Sequence, residues 1–269
     1  MKKQVSTLSF VLIVFLSVLS FTSCKKSDLN LFTIDDDKTF GLQMEAEIAS
    51  KPSEYPLLDK TAYPASYAYL ESMKSNILNS GKLDYASDFA WKLYIIRDDA
   101  VQNAFCTPGG YIYIYTGLIK YLDNASSLAG VMGHEMAHAD QRHSTRQMTE
   151  QFGITTLLEI VLGQNQNALS DIAAQLSVLA FSRADETDAD KHSVKYLCPT
   201  LYRSDGAADF FQKIINSGAS SPPAFLSTHP NPDNRVANIQ KEKTDLGCAS
   251  TPSNQLDITD YASFKASLP

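Results

Sequence analysis

Residues 126–144 read Ser126-Ser127-Leu128-Ala129-Gly130-Val131-Met132-Gly133-His134-Glu135-Met136-Ala137-His138-Ala139-Asp140-Gln141-Arg142-His143-Ser144. Leu128, Val131, Met132, Met136 and Ala137 give this stretch the apolar spacing of a packed helix. Residues i and i+4 of a helix lie one above the other, so His134 and His138 face one point, with Glu135 beside them. The alternative is a pair of ordinary histidines on a solvated face. An apolar helix argues against it, because unpartnered imidazoles are costly there. The H-E-x-x-H spacing suits one zinc ion, held by two neutral imidazoles and a carboxylate, with an open position for a water whose proton Glu135 takes.

The third ligand is expected from a later element. Phe181-Ser182-Arg183-Ala184-Asp185-Glu186-Thr187-Asp188-Ala189-Asp190 crowds acids onto a second helical stretch. Glu186 and Asp190 are i, i+4, so one can bind metal while the other accepts the free N–H of a ligating histidine. The same face can equally be merely solvated. His143, five residues past His138, is expected off the metal face and at the surface. His192, six past Glu186, is expected off its face too.

Around these stretches the pattern predicts helices over Thr39–Ser50 and Pro64–Asn79, strands over Trp91–Ile96 and Tyr111–Tyr115, and one long helix each over Ser126–Ser144 and Ser170–Leu197. Gly153–Leu162 reads as a core or cleft-covering helix. Asp209–Ile215 follows as a helix, then a Pro-rich loop at Ser221–Pro232 and a short helix from about Asn234. No repeat at solenoid periods is visible.

The chain has 269 residues, 44 % hydrophobic and 20 % charged, which excludes a disordered chain and a multi-span membrane protein. Its net charge of -7 offers no basic field for nucleic acid. Met1-Lys2-Lys3 and the apolar run Leu8–Phe21 read as an export signal over residues 1–23. Phe21-Thr22-Ser23-Cys24 resembles the bacterial lipobox, with Cys24 lipidated and residues 24–38 a polar tether to a domain over 39–269. Lys25 favours the periplasmic face of the outer membrane. Of the other cysteines, Cys198 and Cys248 are the plausible disulfide and Cys106 a buried free thiol.

Five ordered segments carry a family resemblance: Asn103-Ala104-Phe105, Pro108-Gly109-Gly110-Tyr111-Ile112-Tyr113, Gly133 to His138, Ser182 to Asp190, and Thr228-His229-Pro230 with Arg235. Together they resemble the zinc metallopeptidases that include the CAAX prenyl protease and HtpX, and more closely the periplasmic members of the BepA and LoiP type. The prenyl-protease transmembrane helices and the BepA helical-repeat domain have no counterpart in the pattern.

The resemblance implies an α+β, predominantly α gluzincin fold, with a small sheet beside two metal-binding helices. It implies His134, His138 and Glu186 as ligands, Glu135 as general base and Asp190 behind a ligand. On the same ground Arg235 supports either the loop that carries His229 or the site itself, and Asn103 holds substrate backbone. His229 either stabilises the developing oxyanion or folds back onto the fourth metal position. The strand from Gly110 and Tyr111 either pairs with an extended substrate or is plain sheet packing. The expected function is a zinc endopeptidase of the cell envelope acting on misfolded or misassembled exported polypeptides. The alternative is a chaperone-like lipoprotein with a capped, rarely active site.

Overall fold

Thr33 starts the first helix, α1 (Ile34–Ala49), through a reciprocal cap: its Oγ1 accepts from Asp36 N at 3.1 Å while Asp36 accepts from Thr33 N at 2.8 Å. The structure, a computed structural model, describes residues 30–217, 223–230, 234–249 and 251–269. The expected signal segment and Cys24 lie outside the described residues, as do residues 221–222 and 231–232 of the Pro-rich loop. Residues 34–38, read as tether, are helical instead. Asp35, Asp36 and Asp37 at a helix start are stabilised by the unpaired N–H groups and the dipole there, so an acidic run starts the fold. Asp37 is fully buried and accepts from Arg142 Nε at 2.5 Å and Thr145 Oγ1 at 2.8 Å.

After α2 (Pro64–Leu78) come three strands, β1 (Lys92–Ile96), β2 (Ala104–Thr107) and β3 (Tyr111–Tyr115). They form one sheet in the order β1-β3-β2, with β1 parallel and β2 antiparallel to β3. The two-residue period of β3 divides the core: Ile112 and Ile114 point into one cluster, Tyr111, Tyr113 and Tyr115 into the other. Tyr113 stacks between Tyr94 at 5.1 Å and Phe105 at 4.7 Å, so these tyrosines are sheet packing.

The larger cluster holds α2 and the central helices. These are α4 (Ala125–Asp140), reached through the short α3 (Thr116–Tyr121), then α8 (Arg183–Leu197) and α9 (Gly206–Ser217). A Cβ on Gly130 of α4 would stand 2.2 Å from Ala207 N, and one on Gly206 would stand 1.9 Å from Ser126 O, so glycines let α4 and α9 cross in backbone contact. The smaller cluster packs α1 against α6 (Ile154–Val161) and α7 (Gln166–Gln175), which follow α5 (His143–Phe152). The last described helices are α10 (Phe225–Thr228), α11 (Arg235–Asp245) and α12 (Asp260–Ala266). No described helix is long and apolar enough to cross a membrane.

Two expected long helices are interrupted. The first stops at Asp140, because Arg142 turns into the left-handed region at φ 58° while its side chain reaches Asp37 and the carbonyls of Phe32 and Thr33. The second breaks between α7 and α8. Ser182 is extended there, its Oγ accepting from Asp185 N at 3.1 Å, and the preceding Phe181 N donates to Thr228 O at 3.0 Å. A C-terminal extension with no sequence expectation folds back as α12. Tyr69 stacks on Phe264 at 4.3 Å, and Asp257 caps α4 by accepting from Ser126 N at 2.7 Å. A disulfide joins Cys198 at the end of α8 to Cys248 beyond α11, and Cys106 is a buried free thiol.

Candidate metal centre

His134 and His138 project from one face of α4, as their spacing requires, and their Nε2 atoms face each other at 3.0 Å. Glu186, in the first turn of α8, presents Oε1 at 3.3 Å from His138 Nε2 and Oε2 at 3.4 Å from His134 Nε2. His229, just past α10, brings Nδ1 to 3.0 Å from Glu186 Oε1 and 3.3 Å from His134 Nε2. All four residues are buried, with one ligand atom from each lying within 4.8 Å of the others.

This donor set fits zinc. Ligands about 2.0–2.1 Å from a tetrahedral ion stand about 3.3 Å from one another, which is the spacing found. Two histidine nitrogens 3.0 Å apart share at most one proton between them, and a cation relieves the facing lone pairs. His229 Nε2 and both oxygens of Glu135 are buried without a hydrogen-bond partner among the described residues, while Glu186 Oε2 faces Arg235 Nη2 at 3.0 Å. Polar atoms converging in that state call for an ion and a water.

The family model for peptidase family M48 matches residues 64–243. The chain belongs to peptidase family M48. Its H-E-x-x-H pair and Glu186 thus belong to a family of zinc-dependent metallopeptidases, and the cluster here is able to hold a metal. Among similar proteins is the beta-barrel assembly-enhancing protease of Yersinia pestis, 28 % identical over 177 residues, covering 60 % of this chain and 36 % of that protein. The putative counterpart in Vibrio cholerae is 26 % identical over 224 residues, covering 78 % and 44 %. The mitochondrial metalloendopeptidase OMA1 of Schizosaccharomyces pombe is 26 % identical over 222 residues, covering 79 % and 62 %. The chain therefore spans less than two thirds of the length of these relatives.

In this M48 site the base candidate, Glu135, is fully buried, and Oε1 stands 3.4 Å from His229 Nε2. Burial pushes its carboxyl up to about 8; His229 and Arg235 oppose the rise and Glu186 adds to it. Burial holds His138 far below the usual imidazole range, leaving a neutral ring with a lone pair to give. Burial also works against the charge of Glu186, but the facing His229 and His134 hold it well below the usual carboxylate range.

Behind His134, Asp190 Oδ1 lies 2.9 Å from Nδ1, the ring nitrogen opposite the Nε2 that faces the cluster. Arg235 grips Asp190 with a two-pronged fork, Nε to Oδ2 at 2.7 Å and Nη2 to Oδ1 at 2.8 Å, over the face of Phe211 at 3.8 Å. Both residues are brought to the site, as expected. Asn103 lies in the strand approach to β2: its Oδ1 accepts from Ala104 N, and its buried Nδ2 has no partner among the described residues.

Gly110 and Tyr111 are not brought to the cluster. Gly110 lies in the β2–β3 turn against Trp91, and Tyr111 packs into the smaller core. β3 is also the central strand, its ladder positions taken on both sides, so it cannot add a substrate strand; the edge strands are β1, bridged at Ile96 by Leu57, and β2. His143 departs from expectation as well. It is buried, with Nδ1 at 3.1 Å from His138 Nδ1 and Nε2 at 3.2 Å from Asp188 Oδ2. The sequence carried no local sign of this, because its position follows from the turn at Arg142. Phe181, stacked on His138 at 3.7 Å, was likewise unassigned.

Proposed function

We propose that the protein is a zinc-dependent endopeptidase of the bacterial cell envelope that cleaves misfolded or misassembled exported polypeptides. The single observation that carries the chemistry is Glu135, a fully buried carboxyl group with neither oxygen hydrogen-bonded among the described residues, beside a four-donor cluster. A purely structural metal site gives such a residue no task. Membership of family M48 supports the peptidase reading, and similarity to bacterial beta-barrel assembly-enhancing proteases supports the envelope setting. The export signal and Cys24 in the sequence support a lipid anchor on the periplasmic face of the outer membrane.

A zinc ion, when bound, acidifies a water and polarises the scissile carbonyl. Glu135 takes the water proton and returns it to the leaving amine nitrogen. The outer edge of β2, which pairs with no strand among the described residues, accepts an extended substrate as an added strand once Ser144 Oγ releases Cys106 O, and Asn103 Nδ2 donates to its backbone. Arg235 and Asp190 hold His134 in the tautomer that ligates through Nε2.

A second reading rests on His229. With His134, His138 and Glu186 it completes four donors, the closed arrangement of a structural site, so the resting protein is latent until His229 withdraws. A site that stayed capped would suit a chaperone-like protein that holds clients and cleaves rarely. The test is zinc content and casein cleavage by the full-length protein, its Glu135→Gln variant and its His229→Ala variant. Zinc in all three with cleavage lost only in Glu135→Gln supports the endopeptidase. Client holding that survives Glu135→Gln, without cleavage by any form, supports the chaperone. Absence of zinc from the native protein overturns both.

A further inference from the structure

The two ligand histidines of α4 are backed differently. His134 is held directly by a carboxylate, whereas His138 Nδ1 meets no carboxylate among the described residues and faces the Nδ1 of His143 at 3.1 Å. His143 in turn sets Nε2 at 3.2 Å from Asp188 Oδ2 and 3.7 Å from Asp185 Oδ1. His143 is not a further ligand, because it approaches the nitrogen of His138 that points away from the cluster.

The proton arrangement permits one assignment. A His138 that ligates through Nε2 carries its hydrogen on Nδ1 and must donate there. His143 Nδ1 then has to be the acceptor, so its hydrogen is on Nε2, where Asp188 accepts it. Each N–H in the row has a receiver with both imidazoles neutral, whereas a doubly protonated His143 would set N–H against N–H. Phe181, stacked on the other side of His138 at 3.7 Å, fixes the ring plane but does not choose its tautomer. Asp188 is anchored in turn by His192, whose Nδ1 lies 3.3 Å away, and Asp185 by Arg146 at 2.8 Å.

We propose that His143 is a positioning residue for the metal ligand His138, accepting from its Nδ1–H and passing the restraint to Asp188 on α8. This rests on the reading of the cluster as a zinc site. One segment of α8 then supplies a ligand and both outer supports: Glu186, Asp188 behind His138 through His143, and Asp190 behind His134.

Zinc affinity of the full-length protein, measured by competition with a chromophoric chelator, tests the assignment together with the visible spectrum of the cobalt-substituted form and kcat and KM for casein. His143→Ala is expected to weaken zinc about 10–100-fold, to alter the cobalt spectrum and to lower kcat with KM little changed. His143→Asn retains an acceptor near the Nδ1 position and should recover most of the affinity. His143→Gln, whose amide reaches the Nε2 position instead, should resemble the alanine variant. If a buried alanine there prevents folding, Asp188→Ala carries the test, because Asp188 is 44 % exposed and its loss should still weaken zinc. Equal zinc affinity and an unchanged cobalt spectrum in the alanine variants would overturn the proposal, as would loss confined to the melting temperature of the metal-free protein. Failure of the native protein to bind zinc would remove the metal reading itself, a distinct result.

Discussion

His229 Nδ1 stands 3.3 Å from His134 Nε2, the separation of two ligands on one tetrahedral ion, although 95 positions separate the two residues in the chain. The ring is held there by Phe225, stacked at 4.1 Å, and by Phe181 at 5.5 Å. Its position makes the His229→Ala outcome diagnostic. As a cap, its removal should raise casein turnover several-fold and weaken zinc. A drop in turnover with zinc affinity unchanged would assign His229 to the transition state instead.

Glu135→Gln should retain zinc, because Glu135 is not among the four donors. Loss of a general base costs about 10²–10⁴-fold in rate, so casein cleavage should fall by at least a hundredfold. Zinc content and initial rates on the same preparation check both halves.

The same substitution has a pH signature after chelation. Burial raises Glu135 from 4.5 to about 8, so between those values the folded metal-free protein holds a proton that the unfolded chain has released. Stability contributed by this group is therefore present below about pH 4.5 and lost as pH rises through about 8. Urea midpoints of the metal-free native protein should fall from pH 5 to pH 8 by more than those of Glu135→Gln. Parallel profiles would show that Glu135 is not raised.

Arg142→Ala should leave Asp37 charged, buried and without its strongest partner. Breaking a buried pair from one side costs about 3–5 kcal/mol. Burial already raises Asp37 against the pull of Arg142 and Thr145, so the variant should also make Asp37 more basic. Chemical denaturation checks the loss, and Asp37→Asn in the Arg142→Ala background should recover part of it.

Cys24→Ala should move the protein from the membrane to the soluble fraction, since a single lipidated end is the proposed anchor. Membrane retention by the variant would require another contact.

Local periodicity made part of this molecule legible. The i, i+4 spacing puts His134 and His138 on one face of any helix, and the same spacing relates Glu186 to Asp190. The strands at residues 92–96 and 111–115 declared themselves by their β-branched and aromatic content. The resemblance carried by five short segments supplied the family, which the match over residues 64–243 bears out.

Tertiary structure decided what depends on distant partners. Which strands lie at the sheet edge is set by pairing order, so β1 and β2 and not β3 do, although β3 is the stronger strand by composition. Asp35 to Asp37 read as a solvated tether until Arg142, more than a hundred residues away, buries one of them. His143 lies off the metal face of a continuous helix. The left-handed turn at Arg142, stabilised by contacts that no local window contains, folds it back against His138. Helical faces follow from bond geometry a few residues wide, whereas breaks, edges and buried charges are fixed by competition among groups far apart in the chain.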